Sequence, residues 1–485
     1  MIKKVSDRLN SELRANNLKG ILNDNTDVVI RNIFLADIKS CLVFIDGLSD
    51  LEQINLNIIN PLKKITKFDF KNLKQIADLN ANFCNFEVVE DLKTMQLNIL
   101  KGQAVLFVDG FKGAICFNVI KYESRGIVEP PSSTVINGPR EGFNESIKTN
   151  ISLIRKRLAS TSLKIEDMQV GLRTNTAIKI VYFDDLADKS VVEQVKNKIS
   201  KIKIDGIIDS YYISKFLEKY PNSMFRQIGS CEKPDIVCAK LLEGRVAIFV
   251  DGSPIVLTVP FVFIEDFQSA NDYYSDAYRA SFLRILRLFA FCVSIYLPGM
   301  YMALQLFHYK VLPLKFLVTI INTTQSLPLN PFLEIFFIII LFDILFEASL
   351  RMPKYLGIAV SIVGALILGD TAVKAGLVSP PGVMIVAMSA ITIYIIPNQS
   401  SQISMLRLVF AFIGGSLGFH GIVLGTMFLF SYLAKIDSFG APFLAPYAPY
   451  IFEDQNDAFI KLNLKHMKNT PKSFPNKSKK RLKTK

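Results

Sequence analysis

The chain of 485 residues contains no tryptophan and only three histidines, His308, His420 and His466. None of the three stands beside a second candidate catalytic group. A nucleophile elbow, paired metal ligands and a dinucleotide fingerprint are all missing. The run Gly138-Pro139-Arg140-Glu141-Gly142 lacks the Gly-Lys-Ser/Thr ending whose lysine and hydroxyl reach phosphate and magnesium. These absences argue against an enzyme and against a bound cofactor or metal. Cysteine is sparse too. Cys41, Cys84, Cys116, Cys231, Cys238 and Cys292 are scattered, and the one near pair, Cys231 and Cys238, has six residues between its members. That spacing fits neither zinc nor redox pairing, so ordinary reduced thiols are expected. The opening MIKKVSDRLN has no apolar core of signal-peptide length, which predicts a soluble portion that stays in the cytoplasm.

What is present is unevenly distributed. Residues 1–280 carry 37 Lys/Arg against 35 Asp/Glu, the profile of a water-soluble domain. Residues 281–450 carry only 9 Lys/Arg and 5 Asp/Glu, spread over long apolar runs. A run of about 20 apolar residues spans a bilayer core, so this half reads as polytopic. Residues 451–485 carry 10 Lys/Arg and 3 Asp/Glu. Their terminal run KNTPKSFPNKSKKRLKTK has little to bury and predicts a disordered, cytoplasmic tail facing anionic lipid rather than nucleic acid.

The soluble half repeats itself. Val43-Phe44-Ile45-Asp46-Gly47-Leu48 returns as Val181-Tyr182-Phe183-Asp184-Asp185-Leu186, at an offset of 138. Leu100-Lys101-Gly102 through Asp109-Gly110 returns as Leu242-Glu243-Gly244 through Asp251-Gly252, at an offset of 142. Strands alternate with a helical pattern in each copy, which predicts two related α/β or α+β subdomains. The Asp-Gly pairs between apolar runs read as hairpin turns, with a metal role for Asp46, Asp109, Asp184 or Asp251 as the other reading. The resulting division is 1–135 for the first subdomain and 136–164 for a linker and helix. The second subdomain takes 165–280, an all-α membrane domain 281–450 and the tail 451–485. Arg140 and Glu141 on the linker are candidates for a clamp between subdomains or subunits.

Candidate membrane spans are 286–307, 332–350, 355–376, 381–397 and 404–433. Arg284, Arg287, Arg351 and Lys354 mark the cytoplasmic side. Five spans conflict with a cytoplasmic tail, so either 381–397 is re-entrant or 311–326 adds a sixth. In the second span Glu334, Asp343, Glu347 and Arg351 form a candidate intramembrane charge network, or alternatively a cation path. In the third, Gly357, Ser361 and Gly364 permit close helix packing. A different face presents Val360, Val363, Ile367 and Thr371, with Asp370 adjacent, as a candidate pore or gate. The other reading of that face is a packed or lipid-facing surface.

Several runs resemble the A subunit of GerA-type spore germinant receptors. They are Gly138-Pro-Arg-Glu-Gly-Phe143, Thr149-Asn-Ile-Ser-Leu-Ile-Arg-Lys-Arg157 and Ile204-Asp-Gly-Ile-Ile-Asp-Ser210. Glu243-Gly-Arg-Val-Ala-Ile-Phe-Val-Asp-Gly252, Asp272-Tyr-Tyr274, Val360-Ser-Ile-Val-Gly-Ala365 and Ser438-Phe-Gly-Ala-Pro-Phe-Leu-Ala-Pro446 follow in family order. The resemblance implies a complex in the spore inner membrane with a transporter-like B subunit that binds nutrient and a lipoprotein C subunit. It also implies that the A subunit forms a homo-oligomer and a nutrient-gated ion channel. A solute transporter and a poreless scaffold that relays ligand occupancy are the competing functions.

Overall fold

The computed structural model describes residues 10–65, 70–78, 84–121, 137–325, 327–351, 370–463, 465, 467 and 469–477. Two sheets built to one plan open the chain. The first copy begins with α1 (Ser11–Ile21), whose cap Asn10 accepts from the Glu12 and Leu13 amides. It continues through β1 (Val28–Leu35), β2 (Ile38–Ile45), helical turns between Leu51 and Lys63, a helix over Leu73–Asp78, β3 (Phe86–Val89), α2 (Leu92–Leu100), β4 (Ala104–Val108) and β5 (Ala114–Phe117). The second copy runs α3 (Ile147–Arg157), β6 (Leu163–Val170), β7 (Thr176–Phe183), α4 (Lys189–Ser200), α5 (Ser210–Leu217), β8 (Gly229–Cys231), α6 (Pro234–Leu242), β9 (Val246–Val250) and β10 (Val256–Val259). The strand orders, β1-β2-β4-β5-β3 and β6-β7-β9-β10-β8, are equivalent. Neighbouring strands are antiparallel in both.

The central strands are apolar throughout because both of their faces are covered. Side chains alternate across a strand. Ala104, Leu106 and Val108 of β4 therefore face Ile54 and Ile58, while Val105 and Phe107 face α1 and α2. In β9, Ile248 and Val250 meet α4 and α5, whereas Ala247 and Phe249 meet α3 and α6. The helix that the sequence places in a linker is thus the opening element of the second copy. Its own apolar stripe, Ile147, Ile151 and Ile154, is buried in that copy's core. The Asp-Gly turns have φ of 85° at Gly110 and 83° at Gly252, which suits glycine. Their aspartates cap the opening helices: the Ser11 amide donates to Asp109 at 2.5 Å and the Ile147 amide to Asp251 at 3.2 Å.

The copies are joined by a side chain acting as a strand. β6 is an edge strand, and Asn25 donates from Nδ2 to the Leu163 carbonyl at 2.8 Å while accepting the Ile165 amide at 2.7 Å. Those are bonds that a neighbouring strand would make, and they cover an edge otherwise free to pair elsewhere. Two residues on, Asp27 receives Arg155 Nε at 2.9 Å and Nη2 at 3.0 Å, with both side chains buried.

The helical half comprises α7 (Ala277–Leu306), α8 (Leu314–Thr324), α9 (Pro331–Arg351), α10 (Pro380–Ile393) and α11 (Ser400–Lys435). Among the described residues, Ala277–Leu306 and Pro397–Lys435 are long and apolar enough to cross a membrane. The second of these is not one rod. Gly418 has φ 65° and ψ −152°, so α11 reverses there, and a Cβ on Gly425 would touch Ile413 and Phe410 at 3.2 Å. Each arm is about 26 Å long, close to a hydrocarbon core. The stretch expected as one span over 404–433 is therefore a hairpin, which returns the chain to the side it left. The helix at the candidate sixth span 311–326, α8, is only about 17 Å long. About two thirds of the expected span over 355–376 lies outside the described residues, which omit 352–369.

α7 and the first arm of α11 cross at glycine. A Cβ on Gly414 would lie 2.3 Å from the Gly299 carbonyl oxygen, and one on Gly299 would lie 2.4 Å from that of Phe410. Backbone, rather than a flexible side chain, blocks both positions. Gly414→Leu is expected to cost at least about 1–3 kcal/mol through overpacking, read as a lowered melting temperature of the detergent-solubilised protein.

The tail differs from expectation. Residues 437–477, where described, fold back over the soluble half, burying Phe443, Ala458, Met467 and Phe474. Ala458, Met467 and Phe474 are interspersed among the lysines of the expected tail 451–485, so average charge concealed order over its described part, up to Lys477. The sheets and the described part of the tail consequently share one side of the helical half.

Candidate functional site at the base of the helical half

The conspicuous polar cluster lies where α7 enters the helical half. Arg284, two turns inside that helix, is fully buried. Its Nε donates to Asp272 at 3.1 Å, and its Nη1 to the Asp457 carboxylate at 3.0 Å and to the Asp457 and Ala458 carbonyls at 2.9 and 2.6 Å. Arg287 adds two bonds to Asp272, at 2.7 and 2.9 Å. Lys461 Nζ holds the Asp272 carbonyl at 2.5 Å, and the Tyr273 hydroxyl donates to Asp457 at 2.9 Å. One arginine thereby ties together the linker after the second sheet, the first long helix and the tail.

Burial by itself would raise the Asp272 carboxyl. Hydrogen bonds from Arg287 and the Ser269 amide, with the charges of Arg287 and Arg284, outweigh it and hold the group below the usual range. Asp457 goes the other way: burial pushes it up, Glu243 adds to that, and Arg284 only partly compensates.

A second cluster flanks the first. Glu265 meets Arg245 Nη1 at 2.6 Å and Lys240 at 2.8 Å, and Arg245 also meets Glu243 at 2.9 Å. Arg226 pairs with Asp266, which also accepts Gln399 Nε2 at 2.5 Å, from the start of the α11 hairpin. Around these charges Phe225, Phe261, Phe263, Phe267, Phe291 and Phe443 form a cluster of edge-to-face and tilted rings drawn from the second copy, α7 and the tail. Ser438 Oγ bridges the tail to the sheet, donating to the Gln227 carbonyl at 2.7 Å and accepting the Phe261 amide at 3.1 Å. A cleft of about 1070 Å³ lies between these layers, lined by Arg226, Lys233, Arg245, Glu265 and Phe474 among others. Glu243–Gly252, Asp272–Tyr274 and Ser438–Pro446 converge here, although nearly 200 residues separate the first from the last. The run from Gly138 joins the same corner: Lys233 Nζ holds the Pro139 carbonyl at 2.8 Å, and the Phe143 amide donates to the Glu232 carbonyl at 2.8 Å.

The residues expected to form one intramembrane network are separated. Glu334 is buried against the N-terminus of α10, where its Oε1 accepts the Ser379 amide at 2.7 Å and hydroxyl at 2.6 Å. A carboxylate there is favoured by the helix dipole and needs no arginine. Asp343 pairs with Arg407 of α11 and accepts Ser404 Oγ at 2.9 Å. Glu347 and Arg351 pair with each other at 2.6 Å on an exposed face. Sequence reasoning missed Arg407, because its partner lies on another helix rather than within a turn of it. Asp370 pairs with Lys374 at 2.8 Å and, like Thr371, is exposed. Val360, Val363, Ile367, Gly357, Ser361 and Gly364 lie outside the described residues.

The candidate clamp residues Arg140 and Glu141 lie just ahead of α3. Glu141 meets Arg157 at 2.5 Å and Lys156 at 3.7 Å, on the helix that follows it, while Arg140 is exposed. Among the described residues, the buried ion pair that joins the copies is Asp27–Arg155, with Lys148–Asp46 a more exposed one at 2.9 Å. Arg155 lies in the Thr149–Arg157 run, but nothing in the sequence distinguishes it from its basic neighbours.

The sequence profile described as Bacillus/Clostridium GerA spore germination protein matches residues 16–473. The chain is 35% identical to spore germination protein KA of Bacillus subtilis (strain 168) over 444 residues, 90% of this chain and 82% of that protein. It is 33% identical to the uncharacterized membrane protein YfkQ of the same organism over 470 residues, 95% and 92% of the two chains. With spore germination protein B1, also from Bacillus subtilis, identity is 32% over 96% and 97% of the two chains. Among solved structures, it is similar to the N-terminal domain of the A subunit of the Bacillus megaterium spore germinant receptor GerK3. The TM-score is 0.41 and the identity 25%, over 52% of this chain and 95% of that one. The chain belongs to the Bacillus/Clostridium GerA family of spore germination proteins.

Proposed function

We propose that the chain is the A subunit of a spore germinant receptor, an inner-membrane protein with its sheets and tail in the cytoplasm. In this reading it self-associates and supplies an ion path that opens when a transporter-like B subunit binds nutrient, with a lipoprotein C subunit completing the complex. The supporting observation is the span of the family match, which runs from α1 through both sheets and the helical half into the returning tail. The receptor reading thus draws on the whole chain rather than on a shared module. Charged groups within the apolar helices, Asp343 with Arg407 and Glu334 with Ser379, agree with a helical half that does more than anchor. Val360, Val363, Ile367, Asp370 and Thr371 are the proposed pore face, and Gly357, Ser361 and Gly364 the proposed packing stripe.

A second reading, a scaffold that relays occupancy to a separate channel, draws on the base cluster, where one arginine links the segment after the second sheet, the first long helix and the tail. Cation flux into liposomes separates the two. With partner subunits and nutrient supplied, the A subunit is expected to conduct, and Val363→Ala is expected to raise basal flux several-fold. Absence of flux from the assembled complex would favour the scaffold. Flux unchanged by Val363→Ala would keep the channel and remove the gate from that residue.

A further inference from the structure

The first soluble copy closes with its own chain. Leaving β5, the chain turns back so that Ile120 pairs with Ser49, the Lys121 amide donates to the Leu48 carbonyl at 2.8 Å, and the Asp50 amide donates to the Val119 carbonyl at 2.8 Å. In the second copy the equivalent turn carries Leu186 and Ala187, but the chain leaving β10 does not come back. It passes through Phe261 and Phe263 into the aromatic cluster and on into α7. The place that Ile120 and Lys121 take in the first copy is taken here by Asn476 and Lys477. Asn476 pairs antiparallel with Ala187, and the Lys477 amide donates to the Leu186 carbonyl at 2.9 Å.

The correspondence extends to the glycines beneath. A Cβ on Gly102 would stand 3.0 Å from the Leu48 carbonyl oxygen; one on Gly244 would stand 2.9 Å from that of Leu186 and 3.0 Å from Asn476 Cβ. Both glycines have positive φ, 94° and 86°. Lys477 Nζ also reaches the Asp184 carbonyl at 2.9 Å, and Phe474 lies under the Arg245 guanidinium, 3.7 Å from ring centre to charge.

We infer that the helical half is inserted within the second soluble copy, between β10 and its closing segment, and that residues 474–477 are the latch that closes that copy. The helical half is then tethered to one sheet at both ends, by the chain after Val259 and by the tail, which meets the sheet first at Ser438 and last at the latch. A shift of its base relative to the sheet must be absorbed at one tether. The latch is held by backbone pairing at Asn476 and Lys477, the Lys477 ammonium and one stacked ring, less than the continuous chain that holds the other end, which makes it the weaker tether. Closure of the latch is what carries movement between sheet and helices; this last step rests on the receptor reading above.

Two latch-breaking changes to the full chain test the inference: truncation after Pro475, and Lys477→Pro, which removes the donating amide without shortening the chain. Lys477→Ala, which keeps the amide, is the control. Hydrogen exchange is followed in the liposome-reconstituted complex. Amides of Asp184–Asp188 are expected to exchange at least tenfold faster in both broken forms and to match wild type in Lys477→Ala. Those of Asp46–Asp50 should be unchanged throughout. Unaltered exchange at Asp184–Asp188 would overturn the latch. On the same samples, nutrient-triggered flux is expected to fall at least tenfold in Lys477→Pro and to persist in Lys477→Ala. If wild type conducts and Lys477→Pro conducts equally, the latch does not transmit. A wild type that never conducts counts against the receptor reading, while the exchange data still decide the latch.

Discussion

Arg284→Met is expected to destabilise the base of the helical half by about 3–5 kcal/mol, the cost of removing one partner from a buried ionic cluster. Methionine fills much of the same volume, so the loss is electrostatic rather than a cavity. Asp272 keeps Arg287, but Asp457 loses its only guanidinium partner among the described residues, and the Asp457 and Ala458 carbonyls lose their shared donor. The tail should then detach from α7 while the first soluble copy remains folded. Limited proteolysis reads this directly, with new cleavage between 457 and 477 and continued protection of residues 28–117. Protection of the tail in Arg284→Met would mean that the aromatic cluster alone holds it.

The same cluster sets an acid limit. The Asp272 carboxyl titrates below its unfolded value of about 3.9. Its contribution is therefore complete above that pH and is lost as pH falls through the lower folded value. Tail protection is expected to persist at pH 5 and to weaken progressively as pH falls below about 4, and Asp272→Asn should flatten that dependence.

Much of the architecture was legible because it is periodic or repeated. Val105-Leu-Phe-Val-Asp-Gly110 and Ala247-Ile-Phe-Val-Asp-Gly252 announce equivalent strands and turns, since a two-sided central strand must be apolar and its hairpin turn must tolerate positive φ. Long apolar runs marked α7, α9 and α11 for the same kind of reason. Three features escaped. The reversal at Gly418 sits inside an unbroken apolar run, where a single glycine gives no hint that it carries a turn. The tail's order depends on Phe474 and Lys477 meeting residues about 230 and 290 positions earlier, and composition cannot register such contacts. Arg284, Arg407 and Arg155 each find a carboxylate only through tertiary packing, so the sequence offers charged residues without their partners. Glu334 is the converse: its charge invited an arginine, and the fold gives it a helix N-terminus.

Arg155→Met is expected to cost about 3–5 kcal/mol at the boundary between the two soluble copies, leaving Asp27 buried and unpaired. Asp27→Asn should cost less, because an amide can still accept from the guanidinium and no bare carboxylate is left behind. The informative variant is the double replacement Asp27→Leu with Arg155→Met. Removing both charges eliminates their desolvation together with their attraction, so stability should return to within about 1–2 kcal/mol of wild type. Chemical denaturation of the soluble portion with the tail retained would give the four free energies of the cycle. A coupling of several kcal/mol identifies this pair as the join between the copies; simple additivity would transfer that role to Asn25 and the backbone of β6. Stability and specificity then separate at this boundary. The apolar double variant restores stability but lacks the bidentate geometry that fixes one orientation of Arg155 against Asp27. The copies in that variant should consequently be stable yet less uniquely aligned, visible as broadened amide resonances at Asn25 and Ile165 beside unchanged ones in β4 and β9.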